Sequence, residues 1–384
     1  MTYASPLMRI LSITNDIDSG GAAKSLFFLA ENMAALGHEM HIISISKPSR
    51  TGKRVEDLAS AGVKVDFVRI PYYPMSLKAC PIPFWKNIGR SVARFGEFGR
   101  LKRMVTDIQP DVIHYNSYTT LLAALPLKGW PAVLHCREVL LEDAPLLPLT
   151  KPLVRSRIRE AVAISPIESE QAQRIFGLKT AVIFNTAPIP EKPAPMPEGN
   201  GLVYGMFSHV SPMKGHLLCI QACAKAADEL RRAGVSVRLF GGKIGIHDEL
   251  YRSIEHKISL AGIGDIVSFQ GFSVEPEKEM QGIHLLLRPD LTGHPWGRDI
   301  IEAMSQGRPV LATGDSEIFI AKGLTGELVP AGDADAFARA LVQLADRDKL
   351  KRMGAAAYTF AANNFTQKQS SRAFLECLTR VVGP

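Results

Sequence analysis

The chain has 384 residues, of which 46% are hydrophobic and 22% are charged. This length favours two domains over one, and the composition is that of an ordinary soluble globular protein, which excludes a disordered chain. A formal net charge of +7 favours anionic partners such as nucleotide phosphates, nucleic acid or an acidic membrane surface.

The sequence lacks the features of a secreted, membrane-spanning or zinc-binding protein. Its five cysteines are scattered, and no second Cys or His pair completes a zinc pattern beside Cys219 and Cys223. The N-terminus has no charged region followed by an apolar core, and no apolar run approaches the length of a membrane span. We therefore expect free thiols and a cytoplasmic location.

The first 45 residues have the pattern of a βαβ unit. A strand, a glycine-containing loop, a helix and a second strand are predicted over residues 8–14, 15–21, 22–36 and 40–45. Gly20 and Gly21 would let the backbone approach a ligand at the helix N-terminus, but a tight turn without a ligand explains them equally well. The third glycine of the dinucleotide fingerprint is missing, and no acidic residue follows the second strand.

A basic segment with interleaved aromatic residues spans residues 84–104, after a predicted strand over residues 63–70. Its apolar residues recur near helical spacing, and Lys and Arg occupy the other positions. This pattern is typical of a helix packed on its own domain, and an amphipathic helix lying on an anionic membrane is the alternative.

Polar residues stand at or directly after the ends of the later strands of the first half. They are predicted over residues 111–115, 132–135, 161–165 and 181–184. His135 falls at the carboxyl end of its strand, where ligands of open α/β sheets bind, although a histidine satisfied within the core is the alternative. Arg137 and Glu138 follow directly and are candidates for contacts with an acceptor substrate.

Five prolines and two glycines between positions 188 and 201 mark the clearest boundary in the chain. We predict an N-terminal domain over residues 1–187, a Pro-rich linker over 188–200, a second domain over 201–365 and a C-terminal helix within 366–384.

The second half repeats the alternation of strands and helices. Strands are predicted over residues 202–207, 235–240, 266–269, 283–287 and 310–314, and helices over 216–230, 333–344, 349–363 and 370–382. After the strand at 283–287, Pro289, Gly293, Pro295 and Gly297 break the chain into a loop, and a helix begins near Arg298. Such a loop and helix offer unpaired N–H groups and the positive end of a helix dipole to an anion.

Glu302 lies just past the first turn of this helix, which should end at Gly307. A carboxylate there would repel a bare phosphate, but its two oxygens can accept hydrogen bonds from vicinal hydroxyls. A pocket for phosphate beside a diol suits a nucleotide. A solvated helix carboxylate on a buried βα turn is the alternative.

The run from His294 to Val310, His-Pro-Trp-Gly-Arg-Asp-Ile-Ile-Glu-Ala-Met-Ser-Gln-Gly-Arg-Pro-Val, resembles the donor-site signature of the retaining glycosyltransferases of family 4. The resemblance implies the GT-B fold, an α/β architecture of two Rossmann-like, doubly wound domains facing a central cleft, with a C-terminal helix packed back on the first domain. Glu302 matches the second acid of the signature, which holds the ribose, and His294 stands where the first acid is usual.

Other landmarks of the family align with residues across the chain. Lys214 matches a lysine that binds the diphosphate, His209 replaces the arginine that accompanies it, and His135 matches a histidine beside the donor sugar. The resemblance implies the catalytic residues His135, Lys214 and Glu302, the acceptor-side residues Arg137 and Glu138, and the donor-binding residues Gly20, Gly21, His209, Lys214, Gly271, Phe272, His294, Trp296, Gly297, Arg298 and Glu302.

We therefore predict a hexosyltransferase of polysaccharide biosynthesis. It would move a sugar from a UDP- or GDP-linked donor to a glycan, lipid-linked or small-molecule acceptor, with retention of configuration and without a metal or other cofactor. A non-catalytic nucleotide-sugar-binding subunit or sensor and a GT-B nucleotide-sugar epimerase are the alternatives. Peripheral contact with the inner membrane face through residues 84–104 stays open, and nucleic-acid binding is not expected because no recognition motif is present.

Overall fold

A computed structural model of the chain describes residues 6–18, 20–46, 53–71, 95–140, 144, 146–242, 248–294 and 297–383. The chain divides into two compact units, each with its own parallel sheet. Unit 1 contains the residues up to Thr186 together with those from Gln367 onward, and unit 2 contains Ala187–Thr366. Within the described ranges, no helix is both long enough and apolar enough to cross a membrane.

The sheet of unit 1 has seven parallel strands in the order β3-β2-β1-β4-β5-β6-β7. Their bounds are β1 Arg9–Thr14, β2 Glu39–Ser44, β3 Lys64–Phe67, β4 Val112–Tyr115, β5 Ala132–Cys136, β6 Glu160–Ala163 and β7 Thr180–Val182. The order reverses direction between β1 and β4, and ligands of such sheets bind outside the carboxyl ends of the strands at this point.

Helices cover both faces of this sheet, because its strands are buried on both sides. They are α1 Gly20–Ala35, α2 Lys53–Ser60, α3 Phe95–Ile108, α4 Leu147–Arg157 and α5 Pro166–Phe176, with a 3-10 helix over Tyr118–Ala124. Helices α3 to α5 and the 3-10 helix share one core, and α1 and α2 pack in the core on the other face.

The sheet of unit 2 has six parallel strands in the order β10-β9-β8-β11-β12-β13, with the reversal between β8 and β11. The strands are β8 Leu202–Phe207, β9 Val235–Phe240, β10 Val267–Gly271, β11 Leu285–Arg288, β12 Val310–Thr313 and β13 Gly326–Val329. The helices are α6 His216–Lys225, α7 Ala227–Arg232, α8 Asp248–Leu260, α9 Pro276–Gln281, α10 Arg298–Ser305, α11 Ala334–Gln343 and α12 Arg347–Asn364.

The last helix, α13 (Gln367–Val382), returns to unit 1. Phe374, Cys377, Leu378 and Val381 are buried in the same core as α1. The helix is also fixed by an ion pair between Arg380 and the buried Glu160, 2.6 Å apart.

Several predicted elements differ in extent from the structure. The strand expected over 63–70 ends at Phe67, the register partner of Ser44, which is the last residue of β2. The strand expected over 181–184 is Thr180–Val182, and the helix expected over 216–230 is interrupted at Ala226. Helix α1 begins at Gly20, so Gly20 and Gly21 belong to its first turn and not to the preceding loop.

Only part of the basic segment lies within the described residues, since 84–94 fall outside them. In α3, Leu101 and Val105 are buried in the core, while Arg100, Lys102 and Arg103 are exposed. This part of the segment therefore packs on its own unit. Four of the cysteines, Cys136, Cys219, Cys223 and Cys377, are buried free thiols as predicted.

The Pro-rich residues predicted to form a linker pack on unit 2. Arg308 is fully buried and donates to the carbonyls of Ala194 and Pro195 at 3.0 and 2.8 Å. Arg347 donates to the carbonyl of Pro197 at 2.7 Å and to those of Gly199 and Gly201 at the same distance. Prolines lack the N–H that a sheet requires, but carbonyls remain acceptors, and these two guanidinium groups donate to five carbonyls of this stretch.

Candidate functional site

Two loops of unit 2 meet where its strand order reverses, one following β8 and the other following β11. The backbone N–H of Leu291 donates to the carbonyl of Met213 at 2.8 Å. Gly215 has a φ of +76°, and a Cβ built on it would lie 1.8 Å from the carbonyl oxygen of Pro289. Only glycine fits this position, because the backbone is left-handed there and the second loop leaves no room for a side chain.

Lys214 stands at the end of the 3-10 turn Pro212–Lys214, immediately before this glycine. Its Nζ lies 2.7 Å from Oδ2 of Asp290, a side chain that is only 2% exposed. The other carboxylate oxygen accepts from the backbone N–H and the hydroxyl of Thr292, at 2.9 and 2.6 Å. Burial would raise the pKa of Asp290, but Lys214, Thr292 and Arg288 outweigh it and keep the pKa below its usual value.

A second cation, Arg288, approaches the same carboxylate oxygen from the end of β11. Its Nη2 lies 3.6 Å from Oδ2 of Asp290, and its Nη1 contacts both oxygens of Asp299 at 2.6 and 2.7 Å. A Cβ built on Gly297 would lie 2.6 Å from Arg288 Nη1, so this guanidinium is beside the N-terminus of α10. Asp290 and Asp299 therefore hold an ammonium and a guanidinium next to a helix N-terminus.

Glu302 projects from the second turn of α10 and is 7% exposed. Its Oε1 lies 3.0 Å from Nη2 of Arg298, one turn earlier in the same helix. The alternative of a solvated surface carboxylate is wrong, because the side chain is buried and paired. This contact with Arg298 does not test the ribose-binding role of Glu302, which stays a prediction.

The strand-end turns of β8, β9 and β10 adjoin one another. The backbone N–H of Val210 donates to the carbonyl of Gly242 at 2.9 Å, and that of Gly241 donates to the carbonyl of Gly271 at 2.7 Å. Phe272 is 61% exposed and lies beside Gly242. His209, also predicted, is exposed; His294 is half-buried and Trp296 lies outside the described residues.

In unit 1 the predicted His135 is almost fully buried at the end of β5. Its Nδ1 lies 3.2 Å from Nε2 of His114 on β4, and Nδ1 of His114 lies 3.0 Å from the hydroxyl oxygen of Ser12 on β1. Burial and the nearby charge of Arg137 hold the pKa of both imidazoles well below the usual range, so both rings are neutral at pH 7. The ring of Phe374 is stacked on His135, with centroids 6.2 Å apart.

Arg137 ties the ends of three chain segments together. Its Nε donates to the side-chain oxygen of Asn116 at 2.8 Å, and its Nη1 donates to that of Asn185 at 2.9 Å. Asn116 in turn donates to the carbonyl of Ala22 in the first turn of α1, at 3.3 Å. A cavity of about 20 Å³ lies here, and its lining includes Ser25, His135, Arg137, Asn185, Ser371 and Phe374.

Glu138 is half-buried and accepts from the hydroxyl of Ser117 at 3.1 Å. Burial raises the pKa of Glu138 to about 7, although the hydrogen bond from Ser117 and the charge of Arg137 oppose the rise. Gly20 has a φ of +82° and open space where a side chain would be, which fits a tight turn and leaves room beside the helix N-terminus. These observations place His135, Arg137 and Glu138 at one edge of the sheet.

Two family models match the chain, and together they cover about four fifths of it. A model described as a glycosyl transferase 4-like domain matches residues 20–184, and one described as glycosyl transferases group 1 matches residues 201–347. The chain belongs to the GT-B glycosyltransferases of the family 4 type. The predicted glycosyltransferase activity is thereby confirmed, and the solved structures described next confirm the predicted fold class.

Relatives of this glycosyltransferase match over most of its length. The phosphatidyl-myo-inositol mannosyltransferase of Mycolicibacterium smegmatis is 25% identical over 350 residues, which are 86% of this chain and 83% of the relative. The crystal structure of Anabaena HepE in complex with UDP-glucose has a TM-score of 0.77 at 20% identity, covering 97% of this chain and 99% of HepE. Sucrose-phosphate synthase of Thermosynechococcus elongatus has a TM-score of 0.72 at 17% identity, covering 96% and 98%.

Unit 2 contains two charged residues that the sequence did not single out, Arg288 and Asp290. The sequence pattern could have indicated both as candidate site residues, because both stand at the carboxyl end of a buried strand. In unit 1, Ser12 and His114 were also missed. Among the described residues no three His, Cys, Asp or Glu side chains are grouped so that they could hold a metal ion; metal independence stays a prediction.

Proposed function

We propose that this glycosyltransferase transfers a hexose from a UDP- or GDP-linked donor to a glycan, lipid-linked or small-molecule acceptor, with retention of configuration and without a metal ion. Two relationships support this proposal. The Mycolicibacterium relative is named a mannosyltransferase of phosphatidyl-myo-inositol, and HepE was crystallised with UDP-glucose. A role in polysaccharide biosynthesis in the cytoplasm belongs to the same proposal.

One observation carries the proposal: the backbone contact that joins the Lys214 loop to the loop preceding α10. It puts an ammonium, a guanidinium and a helix N-terminus at the carboxyl ends of β8 and β11. A diphosphate is the ligand that such a group of donors favours, because each contributes positive potential or N–H groups to phosphate oxygens. Glu302 lies farther along the same helix, where it would accept from the ribose hydroxyls.

The proposed mechanism follows from the negative charge that develops on the diphosphate leaving group. The bond between the anomeric carbon and the diphosphate oxygen breaks, and the electron pair moves onto the diphosphate. Lys214, Arg288 and the N-terminus of α10 would stabilise this negative charge, which is electrostatic catalysis by groups already in place. The acceptor hydroxyl oxygen bonds to the anomeric carbon on the same face, and its proton passes to the departing phosphate oxygen.

On the acceptor side, Arg137 and Glu138 would contact the incoming hydroxyl compound. Arg137 is held rigidly by Asn116 and Asn185, so its guanidinium is preorganised for a polar group of the acceptor. Contact of residues 84–104 with an anionic membrane would bring a lipid-linked acceptor to this unit. Exposed Lys102 and Arg103 on α3 support that contact.

The proposal is tested by measuring ligand-induced stabilisation with UDP, GDP and their hexose conjugates, followed by transfer assays with the nucleotide that binds. Proton NMR of the product reports its anomeric configuration. Substitution Glu302→Ala should abolish transfer and weaken nucleotide binding, whereas Glu255→Ala, at an exposed position of α8, should change neither. Transfer that persists in Glu302→Ala, or that stops when a chelator is added, would contradict the proposed donor site or its metal independence.

A further inference from the structure

Three buried polar side chains form a continuous hydrogen-bonded row across neighbouring strands of unit 1. Ser12 on β1, His114 on β4 and His135 on β5 are 0%, 0% and 5% exposed. Ser12 and His114 are register partners in the sheet. The row ends at Nε2 of His135, a buried nitrogen with no hydrogen-bond partner in the part of the chain that the structure describes.

The row admits two arrangements of protons, since each neutral imidazole carries one N–H and one lone pair. In the first, Ser12 donates to Nδ1 of His114, Nε2–H of His114 donates to Nδ1 of His135, and His135 carries its proton on Nε2. In the second, every hydrogen bond is reversed, and Nε2 of His135 carries a lone pair. The first makes His135 a donor at the end of the row, and the second makes it an acceptor or a base.

Ser12 decides between these arrangements. Among the described residues, its hydroxyl forms a hydrogen bond with Nδ1 of His114 and none with a carbonyl. In the second arrangement the hydroxyl proton would therefore be buried without an acceptor. Among the described groups, the first arrangement leaves one buried group of the row without a partner, Nε2–H of His135, whereas the second leaves two, the hydroxyl proton of Ser12 and the lone pair of His135 Nε2. The additional orphaned group corresponds to a preference of roughly tenfold or more for the first arrangement.

We infer that Ser12 and His114 are positioning residues that hold the proton of His135 on Nε2, so that His135 donates a hydrogen bond to a ligand oxygen and does not act as a base. His135 lines the cavity of about 20 Å³, which can hold one water-sized oxygen. The assignment of that oxygen to a sugar hydroxyl rests on the proposed function. The assignment of the tautomer does not depend on the proposed function.

The tautomer is measured by nitrogen-15 NMR of the full-length protein labelled at histidine, because the chemical shift distinguishes a protonated ring nitrogen from an unprotonated one. The signals of His135 are identified by their loss in His135→Gln. We expect Nε2 to be protonated and Nδ1 unprotonated in both His114 and His135. A proton on Nδ1 of His135 would overturn the inference.

A matched pair of variants tests the role of Ser12. Ser12→Thr and Ser12→Val add the same methyl group to a strand position that tolerates β-branched residues, and they differ by a hydroxyl against a methyl. Ser12→Thr should keep the tautomer of His135. In Ser12→Val each arrangement leaves one donor and one acceptor of the row without a partner, so the two tautomers should be populated within about threefold of each other. An unchanged tautomer in Ser12→Val would refute the role of the hydroxyl.

The consequence for catalysis is separable from the tautomer itself. His135→Gln keeps an N–H donor near the position of Nε2 but has no basic nitrogen, and His135→Met has neither. If His135 is a donor, the Gln variant should transfer sugar faster than the Met variant by roughly tenfold. Equal loss in both variants would show that donation is not its role. If the unmodified protein transfers no sugar, the proposed function fails, while the spectra still decide the tautomer.

Discussion

Replacing Lys214 by glutamine tests whether this side chain binds the diphosphate of the donor. A hydrogen bond to a charged group contributes about 1.5–3 kcal/mol, so the variant should bind UDP or GDP roughly 10- to 100-fold more weakly. The lower half of this range is expected, because Lys214 is already paired with Asp290 and a diphosphate would share it. Binding of uridine or guanosine, which lack phosphate, should not change.

The same substitution should also lower the free energy of unfolding. Asp290 is 2% exposed and loses its closest cation, and breaking a buried pair costs several kcal/mol. Because Lys214 is itself 27% exposed, we expect a smaller loss of about 1–3 kcal/mol. Adding Asp290→Asn to Lys214→Gln removes the uncompensated carboxylate, so the double variant should regain stability without regaining diphosphate affinity.

Calorimetric titration with the nucleoside diphosphate and with the nucleoside separates these effects, and chemical denaturation gives the stability. Lys225→Gln is the matched control, since Lys225 also pairs with an aspartate, Asp335, at 2.8 Å but lies outside the site. If the Lys214 variant loses nucleoside and diphosphate affinity equally, or if the double variant binds UDP as well as the unmodified protein, the assignment of Lys214 to the diphosphate is refuted.

Three further outcomes are expected. Gly215→Ala should destabilise unit 2 by more than Gly262→Ala in thermal melts. Both positions have positive φ, which costs an alanine about 1–2 kcal/mol, but only at Gly215 would the added Cβ lie 1.8 Å from a carbonyl oxygen, that of Pro289. Glu302→Gln keeps the side-chain shape and should weaken nucleoside binding in titrations. If the affinity for the nucleoside diphosphate falls while that for the nucleoside is unchanged, a ribose contact is contradicted. The raised pKa of Glu138, about 7 against 4.5 when unfolded, means that the folded state binds more protons in this window. The free energy of unfolding should therefore fall as pH rises from 4.5 to 7, and Glu138→Gln should remove that fall in denaturation curves.

The sequence predicted the elements whose apolar pattern is set by burial on both faces. The strands around His135 and the strand, loop and helix leading to Glu302 were placed within a few residues, because buried parallel strands form short apolar runs and glycine and proline interrupt them. Helices α2, α4, α8 and α9 and strand β13 were not predicted. In α8 only Ile254 and Ile258 are buried, so its apolar stripe is too sparse to stand out in the sequence.

The site was harder to predict than the fold, for a physical reason. Asp290 acts through Lys214, a partner 76 residues away in the sequence, and charged residues near loops are ordinarily solvated. His114 looked like a strand residue without a role, and only the register of β4 with β1 and β5 shows that it connects Ser12 to His135. Pairings between strands are not encoded in local pattern.

The anchoring of the Pro-rich residues bears on how the protein can be shortened. A truncated protein that starts at Gly201, the first residue of the second glycosyltransferase match, would remove the carbonyls of Ala194 and Pro195 from Arg308. A guanidinium buried at 0% exposure would then lose half of its backbone acceptors, and water would have to enter the interior to replace them. Expression of this half on its own should therefore begin at or before Ala187, where the compact unit itself begins.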